Sequence, residues 1–265
     1  MNKYCIGIAT LMTGLFLSAC GGDNDKKAEP MMSSSSMSMS SSVMSSSSMA
    51  SSMPAKMPLK FSVAVTNLTS GQPLSPLALV LHNANYKAFE IGMAASVGLE
   101  KLAEGGDPTA FLAEADANKA SILTTTGTGM LLPGMSMTLM TDISLYETDI
   151  AMLKLSLVSM PVNTNDAFTG ISSIDLSKLA VGDVMTMDTV AYDAGTEKNT
   201  ESAGTIPGPA AGGEGFNPMR DDTPSLVSMH SGVITKDDGL ASSALNNTHR
   251  WDNPVARITI TRLTP

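Results

Sequence analysis

Apolar and polar residues alternate near the end of the chain's first quarter. Phe61, Val63 and Val65 fall on one side, and Ser62, Ala64 and Thr66 on the other. A period of two predicts a β-strand with one buried face. Turn-forming residues fill positions 67–76, and 77–81 is a second apolar run. The period then changes. Across 88–103, Ile91, Ala95, Leu99 and Leu102 recur at steps of three and four, which predicts a helix that Gly105 and Gly106 stop. Asp107 followed by Pro108 predicts the capped start of a short second helix, with Phe111 and Ala115 facing inward. Strand patterns return at 136–143 and at 152–160, where Leu153, Leu155 and Leu157 oppose Lys154 and Ser156. Further strands are predicted at 184–192 and 256–263, the last with Ile258 and Ile260 against Arg257, Thr259 and Thr261. The Gly-, Pro- and Ala-rich stretch 206–215 predicts an exposed loop. Short strands between turn clusters, without regular strand–helix alternation, predict an all-β fold: an antiparallel β-sandwich with a short helical insertion.

The first 58 residues follow neither period. Lys3 precedes an uncharged apolar run at 5–17, too short for a mature membrane span, and Leu17, Ser18, Ala19 and Cys20 follow. Small residues before a cysteine resemble the bacterial lipobox, which implies a signal peptide at 1–19, cleavage before Cys20 and lipid attached there. Two or more acyl chains anchor a protein stably. Gly21, rather than an aspartate, resembles the pattern of lipoproteins exported to an outer membrane. Residues 20–58 are then a lipid-anchored linker containing a Ser/Met tract. Serine offers no apolar surface to offset backbone entropy, so the linker is expected to be disordered, with a reach of about 35 Å. Met31, Met32, Met37, Met39, Met44, Met49 and Met53 are also soft thioether ligands of the kind that select Cu(I). Their irregular spacing, with no histidine or cysteine among them, favours the spacer. Residues 59–265 are left as the folded domain.

Composition narrows the function classes. Cys5 leaves with the signal and Cys20 takes lipid, so the exported chain has no intramolecular disulfide. The net charge of −9 argues against nucleic acid and against direct contact with anionic lipid. The chain contains no G-x-S-x-G elbow, no phosphate-binding G-x-x-x-x-G-K loop and no G-x-G-x-x-G. His82, His230 and His249 have no spacing that forces them onto one zinc ion. The expectation is therefore a protein that is not an enzyme. Hard-cation binding is better supported. Asn163, Asn165 and Asp166 precede Gly170 in a polar segment, and Asp188 and Asp193 flank the end of another candidate strand. Calcium takes six to eight such oxygens, although the spacing is not that of an EF-hand.

Four blocks carry a family resemblance: FSVAVTNLTSGQPLSPLALVLHN, NDAFTGISSIDL, YDAGTEKNTE and NPVARITITRL. In this order they resemble the spondin N-terminal domain of F-spondin and mindin type. The resemblance implies an eight-stranded, C2-like β-sandwich with Ca²⁺ held by loops at one end. By position it implies Asp166 and Asp193 as carboxylate ligands and a main-chain carbonyl at Thr189 or Val190, with Asp188 a nearby candidate. Ala167 and Tyr192 stand where the animal domains carry tryptophan. Together these features imply a non-catalytic, calcium-binding, cell-surface lipoprotein acting in adhesion or ligand binding. It would sit on the bacterial outer membrane, facing the periplasm or the outside, held by the anchor at Cys20. An incompletely coordinated ion would reach an anionic glycan, a lipid headgroup or a surface protein. The alternatives are a periplasmic copper-handling protein using the Met tract, or a hydrolase with an unrecognised site.

Overall fold

The computed structural model describes residues 54–265. The signal peptide, Cys20 and the methionines from Met31 to Met53 lie outside the described residues. Among the described residues ten strands form two antiparallel sheets packed face to face. In chain order they are β1 (Met57–Asn67), β2 (Ala78–His82), β3 (Ser121–Thr126), β4 (Ser136–Leu145), β5 (Lys154–Ser159), β6 (Ala167–Asp175), β7 (Val184–Thr189), β8 (Ala191–Asp193), β9 (Ser228–Met229) and β10 (Ala256–Leu263). One sheet runs β4-β1-β10-β7 and the other β3-β2-β5-β6-β8-β9. Helices α1 (Val97–Gly105) and α2 (Thr109–Ala117) lie between β2 and β3 in sequence, and a single turn, α3 (Glu147–Ile150), links β4 to β5. Among the described residues no helix is long and apolar enough to cross a membrane.

The alternation of β1 sends Phe61, Val63 and Val65 into the space between the sheets. There they meet Leu79 and Leu81 of β2, Leu155 and Leu157 of β5, and Ile258 and Ile260 of β10. The six-stranded sheet is buried on its other side too. Ala78, Val80, Val158 and Phe168 pack against Leu99, Leu102, Phe111 and Ala115 of the two helices. The helical insertion is thus the lid of a second apolar layer, which is why all five residues of β2 are buried.

Several boundaries depart from the sequence pattern. The helix expected over 88–103 begins only at Val97, because Gly92 takes a left-handed turn (φ +82°) and the Ser96 hydroxyl caps Leu99 N at 3.1 Å. Ile91 is left 57% exposed. The helix ends as expected at Gly106, in the left-handed region with its N–H on Leu102 O. Asp107 caps α2 by accepting from Thr109 N at 2.9 Å. The single strand expected over 184–192 is two strands: β7 belongs to the four-stranded sheet and β8 to the six-stranded one, and Val190 is the crossover. Residues 206–215 do form a loop, but not a wholly exposed one. Ile206 is fully buried with Val233 and Leu245, and a Cβ on Gly208 would stand 2.2 Å from Val162 O. At the front, β1 begins inside the expected linker, pairing Met57 with Leu145 and Pro58 with Ser144.

Candidate metal centre

The crossover at Val190 brings two aspartates together. Residue Asp166 immediately precedes β6, and β8 pairs with β6 so that Ala167 faces Asp193. The pairing continues for one more bond, Ala194 N to Asp166 O. The chain then curls back over Asp166. Its Oδ2 accepts from Thr196 N (2.7 Å), Glu197 N (3.1 Å) and Thr196 Oγ1 (3.2 Å). Gly195 makes this curl: its φ is +68°, and a Cβ there would lie 2.5 Å from the Leu226 main chain. Asp193 is fixed by the same loop, accepting from Gly195 N and Asn199 Nδ2, both at 2.7 Å.

One oxygen is left over. Asp166 is 0% exposed, and its Oδ1 has no hydrogen-bond partner. An ionised, unpaired buried carboxylate is costly, so it either takes a proton or meets a cation. Burial, and then the charge of Asp193, push the Asp166 carboxyl up to about 7, against the pull of the Thr196 and Glu197 donors. Glu197 is pushed up to about 8 by burial and by the carboxylates of Glu104, Asp166 and Asp221, and its Oε2 is likewise buried and unpaired. Burial also raises Glu104 on α1, countered by Asn217 N. Excess negative charge and unpaired carboxylate oxygens therefore gather where the β6 and β8 ends meet.

Not every residue expected at the site arrives there. Asp188 points away on the solvent face of β7, where Arg257 Nε and Nη2 donate to its two oxygens at 2.7 and 2.9 Å. That partner holds its carboxyl below the usual range. The Thr189 hydroxyl is hydrogen-bonded to Thr169 Oγ1 at 2.8 Å, and Thr169 also donates to Val190 O at 2.8 Å. Thr189 and Val190 line a cleft of about 320 Å³ with Phe89 and Tyr192. The Val190 carbonyl keeps a second lone pair available.

Among the described residues no three His, Cys, Asp or Glu side chains converge on a common point. A cation at this end would thus rest on two carboxylates, with main-chain and water oxygens completing the shell. The orphaned Asp166 Oδ1 beside Asp193 fits such a hard cation. The histidines are engaged separately: His82 with Ser156 Oγ, His249 with Asn246 N, and His230 with Gly232 N. Glu197 and Glu104 are the acidic residues that reading the chain missed. Glu197 lies four positions after Asp193 in the DAGTE run and could have been found there. Glu104 comes from a distant helix, and only the fold brings it near.

The Spondin_N family model matches residues 36–207. The match stops before β9 and β10, yet β10 lies between β1 and β7, so the sandwich closes with residues beyond it. No curated protein matches the chain.

Proposed function

The chain belongs to the spondin N-terminal domain family, extracellular modules that are generally not enzymes, and from that premise we propose a calcium-binding surface module for adhesion or ligand capture. Asp166 and Asp193 hold the ion, and the Val190 carbonyl or water completes the shell. The observation that carries this reading is the buried Asp166 Oδ1, unpaired beside a second carboxylate. Calcium supplies the positive charge that those oxygens lack. With so few protein ligands the ion keeps open positions, through which an acidic protein reaches an anionic glycan, headgroup or partner surface. Lipid at Cys20 tethers the module to the outer membrane, and the Ser/Met tract serves as its spacer.

Thermal melts in chelator and in calcium test this. Extracellular sites with few charged ligands bind at about 10⁻⁴–10⁻³ M. At a free calcium one hundred times the dissociation constant, linkage adds about 2.7 kcal/mol of stability. Identical melts in the two conditions would overturn the assignment.

A further inference from the structure

A second site lies on the other side of His230. A cleft of about 510 Å³ opens between the β1–β2 loop and the turn before β10, with Leu68 and Ser70 on one wall and Asn247, Arg250, Trp251 and Asp252 on the other. Its size falls within the range of small-molecule sites, about 300–1,000 Å³. Both walls are fixed. Ser70 Oγ donates to Thr248 O at 3.1 Å, Gln72 Nε2 donates to His249 O at 2.9 Å, and a Cβ on Gly71 would stand 2.1 Å from Thr248 O. Trp251 is anchored from behind. Its ring lies 5.4 Å from that of His230, and it packs on both the main core and the Ile206 cluster while remaining partly exposed.

The polar groups around the indole are ready to bind. The Asn247 amide and the Asp252 carboxylate are exposed and have no hydrogen-bond partner among the described residues. Arg250 spends one guanidinium nitrogen on Asp238 at 2.6 Å, which answers its charge and leaves its other N–H groups free. The accessible part of a firmly held indole, beside a planar amide, a carboxylate and a guanidinium, suits a pyranose ring, with apolar C–H groups and a rim of hydroxyls that donate and accept. We propose that this cleft binds a neutral pyranose sugar. An acidic sugar fits less well, because Arg250 is already paired and Asp252 adds negative charge. The proposal deepens the ligand-capture reading but does not depend on the metal centre, because none of its contacts uses Asp166 or Asp193.

Trp251 is the chain's only tryptophan, so its emission reports this cleft directly. The full-length chain is titrated with glucose, galactose, mannose, N-acetylglucosamine and lactose, and with glucuronic acid as the acidic comparison, in chelator and again in calcium. At least one neutral sugar should shift the emission saturably, with half-saturation on the order of 1 mM. Asn247→Ala and Asp252→Ala should each weaken that value by about tenfold, the loss of one good hydrogen bond. Both side chains are exposed, so the fold should survive, as an unchanged calcium melt would verify. No saturable shift with any neutral sugar up to about 0.1 M, well above saturation for a 1 mM site, would overturn the proposal. So would a shift that neither substitution alters, or glucuronic acid binding more tightly than every neutral sugar. A chain that fails to respond to calcium but binds sugar would sink only the metal reading.

Discussion

The interior between the sheets and the loop-built end around Asp166 are held together by opposite means. Between the sheets, Phe61, Leu79, Leu155 and Ile260 exclude water, and no side chain there need be charged. At the other region the chain is tied down by hydrogen bonds to buried acids. Asp166 gathers Thr196 and Glu197, Asp193 gathers Gly195 and Asn199, and Glu201 accepts from Ile234 N. Apolar burial is indifferent to pH and to metal, whereas buried carboxylates answer to both. The lesson is that one domain can contain a passive frame and a responsive end, and that substitutions should separate them.

The frame should show the largest effect. Phe61→Ala is expected to cost about 3–5 kcal/mol in urea denaturation, by lost burial and the cavity left behind. The loss should be equal in chelator and in calcium; a rescue by calcium would break the distinction. Asp166→Ala should come next. It strands the Thr196 and Glu197 N–H groups, at about 1–3 kcal/mol, and removes the calcium response. Asp166→Asn sharpens the comparison, because the amide oxygen still accepts those donors. It should cost less than alanine in chelator, yet respond to calcium no better.

The metal-free domain should also depend on pH in a particular direction. Asp166 and Glu197 are raised to about 7 and 8, so in the native state they keep protons that the unfolded chain releases in the ordinary carboxylate range. Their stabilising effect is complete below that range and is lost as pH rises toward 8. Burial lowers His82, His230 and His249, which works the other way up to the ordinary histidine range, so melting temperature in chelator should fall between about pH 6.5 and pH 8. Calcium, which binds the ionised form, should flatten the fall, and so should Asp166→Asn. A chelated domain that grows more stable across that interval would contradict the buried-acid picture. The smallest effect belongs to Arg257→Ala. Its pairing with Asp188 is exposed, so stability should barely move and the calcium response should not change.

Much of the frame was legible along the chain, because period-two alternation in β1 and β10 reports burial of one face. The alternation failed where burial was two-sided or the chain changed sheets. Ser156 of β5 reads as polar and outward, yet it is buried under His82 Nε2 at 2.8 Å. The run from Val184 to Tyr192 looks like one strand because nothing local signals that Thr189 and Ala191 belong to different sheets. At the candidate site, Asp166 and Asp193 were visible as polar residues at strand ends, while Asp188 looked equally suitable. Its pairing with Arg257, sixty-nine positions away, is a property of strand register and not of either segment. Glu104 was invisible for the same reason.

Calcium binding is the central claim of the proposed function, and calorimetric titration of the chelator-treated chain at pH 8 measures it most directly. The wild-type chain should bind one calcium ion with a dissociation constant of about 10⁻⁴–10⁻³ M, and Asp166→Asn should give no heat above dilution while remaining folded. A wild-type titration that matches buffer alone, or an Asp166→Asn chain that binds as tightly as wild type, would contradict a calcium centre at Asp166 and Asp193.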